Sequence, residues 1–190
     1  MEHEAIETLL KRIGFGPHHA ERLRSLRPLM HPLAHEVALA FYDYLGQDPE
    51  TRALLWGEPG RVERLYENFE HWYRQLFEGV YDEAYAESRW RIGVVHARFG
   101  VRLSSLIPAM GRVYALALEH MLSALRPLDL PPALEALNMV LTLDTTLLAE
   151  SYELALTLGL EAGADRATAA QRGAERLLAE GKRRSAFVRG

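Results

Sequence analysis

Apolar residues recur with helical spacing along most of this 190-residue sequence, and this pattern restricts the fold more than any other feature. Glycine and proline interrupt it at the places where helices are expected to end or begin. We find no alternation of apolar and polar residues typical of a half-buried strand, no hairpin dipeptide and no fixed-period repeat. The sequence therefore predicts an all-α protein with about eight helices.

The two longest predicted helices lie in the second half of the chain. One covers residues 104–126 and ends before Pro127, and the other begins at Pro131-Pro132 and runs to about residue 160. Both are rich in Leu and Ala, and together they carry more apolar surface than one small core needs. This surplus predicts a homodimer that forms through these last two long helices.

Composition excludes several classes of function. The chain has no cysteine, which rules out disulfides, thiolate metal sites and a cysteine nucleophile. A net charge of −4 and a pI near 6.1 argue against a nucleic-acid-binding domain, which would normally be basic. The acidic start Met1-Glu2-His3-Glu4 lacks the features of a secretory signal, and no apolar run approaches the ~20 residues of a membrane span. The expected location is the cytoplasm, with no membrane partner.

The end of the chain differs in composition from the rest. Residues 163–190 contain seven basic and three acidic side chains, and Leu177 and Leu178 form their only strong apolar pair. We therefore predict a domain of residues 1–160 followed by a basic, Ala- and Arg-rich segment of residues 161–190. Three alternatives remain open for this segment, namely a helix against the body, a linker towards a partner, or a tail.

A single histidine lies within an apolar stripe near the middle of the sequence. On helical spacing Ile92, Val95, His96 and Phe99 share one face. Such a histidine is a hydrogen-bonded core residue, a residue at the edge of the core, or a ligand. Gly93, in the turn before it, costs a helix about 1 kcal/mol relative to Ala, which suggests that something flat approaches the backbone there. A further glycine four residues after the histidine would end the helix.

Four linked segments, in a fixed order, carry a resemblance to a known family. They are Ala40-Phe41-Tyr42-Asp43-Tyr44-Leu45, then Val62-Glu63-Arg64-Leu65 with Trp72 seven residues on, then Leu76-Phe77-Glu78-Gly79-Val80-Tyr81-Asp82, and finally Arg91-Ile92-Gly93-Val94-Val95-His96-Ala97-Arg98-Phe99-Gly100-Val101. Over roughly residues 5–160 the chain resembles the globin-coupled sensors and their single-domain relatives, which are close to the protoglobins. The resemblance implies a globin fold with an extra N-terminal helix and haem b, iron protoporphyrin IX, between the distal and proximal helices.

The resemblance also implies roles for individual residues. His96 matches the proximal ligand of the haem iron, and its second ring nitrogen then needs an acceptor that fixes the ring. Tyr42 matches the distal tyrosine, whose hydroxyl can donate a hydrogen bond to bound O2. The alternative is that Tyr42 is a half-buried core tyrosine with a structural role only. Leu65 matches an apolar position that controls access, and Asn68 stands where relatives often carry a small hydroxyl residue. The other implied cofactor contacts are Phe69, Ile92, Gly93 and Val95.

The function implied by the resemblance is haem-based gas sensing without catalysis. O2, or CO or NO, would bind the iron, and the change would pass through the last two long helices to a dimer partner and a downstream signalling protein. Two alternatives stay open: a haem enzyme such as a nitric oxide dioxygenase that needs an external reductase, and a regulatory interaction module without haem. The sequence departs from many relatives in residues 102–108, which lack aromatic side chains.

Other chemistry has weaker support in the sequence. His31 and His35 lie four residues apart and could share a helix face as metal ligands, but no third ligand is evident. There is no glycine-rich phosphate loop, no zinc-protease histidine pair and no serine elbow. The basic C-terminal segment has almost no aromatic side chains on which bases could stack, so nucleic acid is not an expected partner.

Overall fold

The computed structural model describes residues 6–165 and 168–187, and these residues form helices joined by short turns, with no strand. The described helices are α1 Ile6–Ile13, α2 Pro17–Met30, α3 Ala34–Leu45, α4 Pro49–Trp56, α5 Arg61–Gln75, α6 Glu83–Arg98, α7 Leu103–Ala124, α8 Leu130–Glu161 and α9 Ala169–Phe187. The prediction of an all-α fold is confirmed. The sequence also predicts a short first helix over residues 2–13, of which residues 2–5 lie outside the described residues.

Local signals place most helix ends where the sequence predicts them. Asp48 accepts a hydrogen bond from the backbone N–H of Thr51 at 2.8 Å, so it caps α4, and Asp82 caps α6 by accepting from the N–H of Tyr85 at 2.9 Å. A cap of this kind depends only on residues three apart in the sequence, which is why it can be predicted without knowledge of the fold.

One helix break lies slightly later than the sequence predicts. The prolines at positions 28 and 32 predict a break at Leu29-Met30-His31, but α2 continues through Pro28 and ends at Met30, so that the break falls at residues 31–33. Leu23, Leu26 and Met30 lie on one face of α2 and are all buried. Burial of that apolar face outweighs the hydrogen bond that a proline removes from a helix.

The chain forms two compact units. Unit 1 contains the described part of residues 1–80 together with residues 109–142, and unit 2 contains residues 81–108 and the described part of residues 143–190. The helices α7 and α8 each contribute residues to both units, so the boundaries between the units fall inside these two helices.

Aromatic side chains join α3 to α5 in unit 1. The ring of Phe41 stacks on that of Phe69 with centroids 4.7 Å apart, and Tyr42 meets Tyr66 edge to face at 5.3 Å and Phe69 at 6.0 Å. Each such pair contributes about 0.5–1.5 kcal/mol beyond the area that it buries. These ring contacts therefore hold the α3 face that carries Tyr42 against α5.

Unit 2 contains α6, which packs against α9, and the last part of α8. Two glycines let the backbones of α8 and α9 approach closely. A methyl group at Gly159 of α8 would overlap the carbonyl oxygen of Ala169, and one at Gly173 of α9 would overlap the carbonyl oxygen of Ala155. The C-terminal segment thus contains a helix that contacts the body of unit 2, although the side chains from position 182 onward lie outside the described residues.

Replacing Gly173 with Ala is expected to displace α9. The new methyl group meets backbone, which cannot rotate away, so we expect a loss of about 1–3 kcal/mol in the free energy of unfolding, the usual cost of overpacking. Chemical denaturation would measure this loss, and hydrogen exchange would show whether the α9 amides lose protection. The matched control is Gly181→Ala on the same helix, where a methyl group meets nothing within 4 Å. Equal stability of both variants would contradict the close crossing.

Candidate functional site

The histidine singled out by its sequence context lies in the last turn of α6, and the backbone around it is held by a defined helix end. Gly100 adopts a left-handed conformation with φ +72°. The N–H of Val101 donates to the carbonyl of His96 at 3.1 Å, and the N–H of Gly100 donates to the carbonyl of Ala97 at 3.0 Å. These two bonds form a Schellman motif, which satisfies carbonyls that the helix end would otherwise leave unpaired. The predicted stop at Gly100 is confirmed.

The imidazole of His96 is oriented by its own helix. Its Nδ1 lies 2.8 Å from the carbonyl oxygen of Ile92, so Nδ1 carries the proton and donates it to that oxygen. Burial lowers the pKa of His96, an effect that the hydrogen bond to Ile92 partly opposes. The ring is therefore neutral near pH 7, with the lone pair on Nε2. A neutral imidazole whose other nitrogen donates to a carbonyl is the usual form of a metal-ligating histidine.

The side chains beside His96 are apolar and open to solvent. Val95 is 37% exposed and Phe99 is 54% exposed, while Ile92 and His96 are partly buried. The buried face of α6 adjoins this stripe and is formed by Tyr85, Arg89, Gly93 and Ala97 along with Val94. An exposed apolar stripe around a neutral imidazole suits a flat, largely apolar group that carries a metal ion, so the residues present fit a haem.

Gly93 has a packing role that the sequence did not reveal. A methyl group at this position would overlap the Oγ of Ser151 and lie 2.9 Å from the carbonyl oxygen of Leu148, both on α8. Ser151 is itself buried and donates to the same carbonyl at 2.7 Å. The glycine therefore allows α8 to approach α6, and this is a different reason from the approach of a flat ligand that we expected. A contact between Gly93 and a cofactor stays a prediction.

Tyr42 lies on α3 with 8% of its surface exposed. Its hydroxyl donates to the carbonyl oxygen of Leu65 at 3.3 Å, which is long for an O–H···O bond, for which 2.7–2.8 Å is typical. Burial raises the pKa of Tyr42 well above its usual value, and the nearby Tyr66 raises it further. The hydroxyl therefore keeps its proton at any physiological pH and is held by only a weak bond.

The predicted site residues fall into two groups. Tyr42 of α3 contacts Leu65 and Phe69 of α5 in unit 1, where Phe69 is buried, Leu65 is partly buried and Asn68 is exposed. The other predicted residues, Ile92, Gly93, Val95 and His96, lie together on α6 in unit 2.

Comparison with known proteins decides the family. The sequence model of the Protoglobin family matches residues 2–157, most of the chain. This chain belongs to the Protoglobin family. Its structure is similar to the globin domain of the Geobacter sulfurreducens globin-coupled sensor, with a TM-score of 0.74 and 27% sequence identity over 79% of this chain and 99% of that one. The predicted family and globin fold are confirmed, and membership of a globin family implies a haem cofactor.

Sequence reasoning missed one cluster in this protoglobin. Tyr85, Arg89 and Asp144 form a buried polar network in unit 2, with both charged side chains fully buried. Two signals could have pointed to it. Tyr85 and Arg89 lie four residues apart on α6, and Asp144 is the only charged residue between Glu135 and Glu150 in a mostly apolar stretch of α8. A lone carboxylate in such a stretch needs a buried partner.

The histidine pair near the start of α3 does not form a metal site in this protoglobin. The Nε2 of His31 lies 3.0 Å from the carbonyl oxygen of Arg74, whereas the Nδ1 of His35 lies 2.7 Å from Oε1 of Glu70. The two rings thus bind different partners. Across the part of the chain that the structure describes, no group of three or more His, Asp or Glu side chains could hold a metal ion.

Among the helices that the structure describes, none is both long and apolar enough to cross a membrane.

Proposed function

We propose that this protoglobin is a haem-binding gas sensor that binds O2 reversibly, with CO and NO as further ligands, and takes part in signal transduction rather than catalysis. The observation that carries the proposal is the state of His96, a neutral imidazole oriented by the carbonyl of Ile92 and surrounded by exposed apolar side chains. Family membership and the similarity to the globin domain of a globin-coupled sensor support it.

In this proposal haem b is held mainly by residues of α6. Nε2 of His96 ligates the iron, while the hydrogen bond from Nδ1 to Ile92 keeps the ring from rotating. The side chains of Ile92 and Val95 cover the apolar part of the macrocycle and exclude water from it, and Gly93 keeps α6 close to α8. When bound, haem supplies a ferrous iron that can take up a diatomic gas.

The residues of α3 and α5 in unit 1 carry the distal roles that the resemblance to the family implies. The hydroxyl of Tyr42 holds a proton that it can donate to the gas ligand once it leaves the weak bond to Leu65. Leu65 and Phe69 provide apolar walls that restrict access. The exposed Asn68 adds an amide at the edge of this surface, where it can donate a second hydrogen bond.

We propose that the output of the sensor runs through the C-terminal helices. Ile107 and Leu122 on α7 and Leu160 on α8 are large apolar side chains that are exposed, which favours a homodimer contact along these two helices. We place the boundary of the sensor globin domain at residue 160. Because α9 packs against α6, a movement of the helix that carries His96 would displace α9. The segment from residue 161 would then transmit this movement to a signalling partner.

An absorption titration with haem tests the proposal. We expect stoichiometric uptake with a sharp Soret band, followed by reversible spectral changes when the reduced protein meets O2 or CO. Failure of the wild-type protein to take up haem would overturn the proposal and leave a regulatory module without haem.

The same preparation separates sensing from catalysis. Sustained nitrate formation over many turnovers with NO, O2 and an external electron donor would instead establish a nitric oxide dioxygenase.

A further inference from the structure

A buried ionic network joins the helix that carries His96 to α8. Arg89 and Asp144 are both 0% exposed, and Nε of Arg89 donates to Oδ2 of Asp144 at 3.1 Å. The hydroxyl of Tyr85 donates to the other carboxylate oxygen at 2.6 Å. The guanidinium of Arg89 also stacks over the Tyr85 ring, 3.8 Å from its centroid. All three side chains belong to unit 2.

Such a network defines geometry more than it adds stability. The desolvation of two buried charges offsets much of their attraction, so apolar side chains of similar volume could hold the helices together as well. Displacement of α6 along α8, however, would separate a buried charge from its partner, which is strongly unfavourable. Burial and the neighbouring Asp144 raise the pKa of Tyr85 well above its usual value, so its hydroxyl stays a donor to the carboxylate.

The network lies close enough to His96 to control its position. Arg89 precedes His96 by two helical turns on nearly the same side of α6, a separation of about 10 Å at 1.5 Å per residue. Between them, Gly93 holds α6 tightly against Ser151 and Leu148 of α8. The stretch of α6 that leads to His96 is thus fixed to α8 at two points, the Arg89–Asp144 pair and Gly93. These two contacts determine how α6 is rotated about its axis and where it lies along α8.

We propose that Tyr85, Arg89 and Asp144 are positioning residues that set the orientation of the His96 imidazole and thereby the strength of its bond to the haem iron. This inference rests on the proposed haem ligation by His96. Loss of the Tyr85 hydroxyl removes one donor to Asp144 while the ring under Arg89 remains. The carboxylate of Asp144 then changes position, and Arg89 moves with it because the two are paired. This displaces α6 by a small amount, and the Nε2 atom of His96 moves with the helix.

The test compares Tyr85→Phe with Tyr152→Phe. Both tyrosines are buried in unit 2, but the Tyr152 hydroxyl has no hydrogen-bond partner among the described residues, so its removal breaks no bond. We expect Tyr85→Phe to shift the iron–histidine stretching frequency in the resonance Raman spectrum of the reduced protein, and Tyr152→Phe to leave it unchanged. A frequency that stays the same in Tyr85→Phe would overturn the proposal, even if that variant melted at a lower temperature.

A second readout does not depend on haem. In the haem-free protein, NMR detects exchange of the Nδ1 proton that His96 donates to Ile92. We expect this exchange to become several-fold faster in Tyr85→Phe and to remain unchanged in Tyr152→Phe. Equal exchange rates in both variants would be sufficient to overturn the positioning role, whatever the result with haem. If instead the wild-type protein took up no haem, the proposed function would fail, and the exchange rates would still decide whether the network orients the ring.

Discussion

Replacement of His96 with alanine is expected to abolish stoichiometric haem binding. The substitution removes the only imidazole on the exposed apolar face of α6, together with the hydrogen bond that orients it. Loss of a supporting hydrogen bond at a metal site typically costs roughly 10–100-fold in affinity, and loss of the ligand itself should cost more. The measurement is the Soret absorbance during titration with haem, which should lose its sharp, saturable band.

His31→Ala is the matched control for this experiment. His31 is also partly buried and also hydrogen-bonds a main-chain carbonyl, that of Arg74, but it belongs to the turn between α2 and α3 in unit 1. This variant should bind haem as the wild type does, and circular dichroism should show that both variants remain helical. Full haem occupancy in His96→Ala would show that another side chain ligates the iron, and His96 would then be a core residue with a satisfied hydrogen bond.

Replacement of Tyr42 with phenylalanine is expected to speed the release of O2. A hydroxyl donor to a ligand with partial negative charge is worth roughly 1.5–3 kcal/mol, which corresponds to a rate increase of about ten- to a hundredfold. Stopped-flow measurement of O2 dissociation tests this value, and CO should be released with a smaller change because it carries less negative charge. The fold should hardly suffer, since the hydrogen bond that is lost among the described residues is the long, 3.3 Å bond to the carbonyl of Leu65.

Tyr44→Phe is the control for Tyr42→Phe. Tyr44 follows two residues later on α3, is 38% exposed and lies with its ring against the guanidinium of Arg112. Its hydroxyl should therefore have no influence on O2. An unchanged O2 dissociation rate in Tyr42→Phe would remove this residue from the site and leave Tyr42 as a core tyrosine that joins α3 to α5.

Features set by neighbours in sequence could be predicted well. The caps at Asp48 and Asp82 and the stop at Gly100 each depend on backbone groups within five residues. The stripe of Ile92, Val95, His96 and Phe99 follows from helical periodicity alone, although its exposure does not. Pro28 shows the limit of such reasoning, because burial of the apolar face of α2 outweighed the tendency of proline to end a helix.

The chain by itself thus determined most of the helices and their ends, the family and the candidate ligand, since these depend on local periodicity, short-range hydrogen bonds and a linked set of motifs. Only the tertiary structure decided which partners the site residues have. Gly93 meets Ser151, Tyr42 donates to Leu65, Arg89 pairs with Asp144, and α9 crosses α8 at two glycines. These contacts join residues that are far apart in sequence. Their energies depend on burial and on close packing of backbones, which no local pattern specifies.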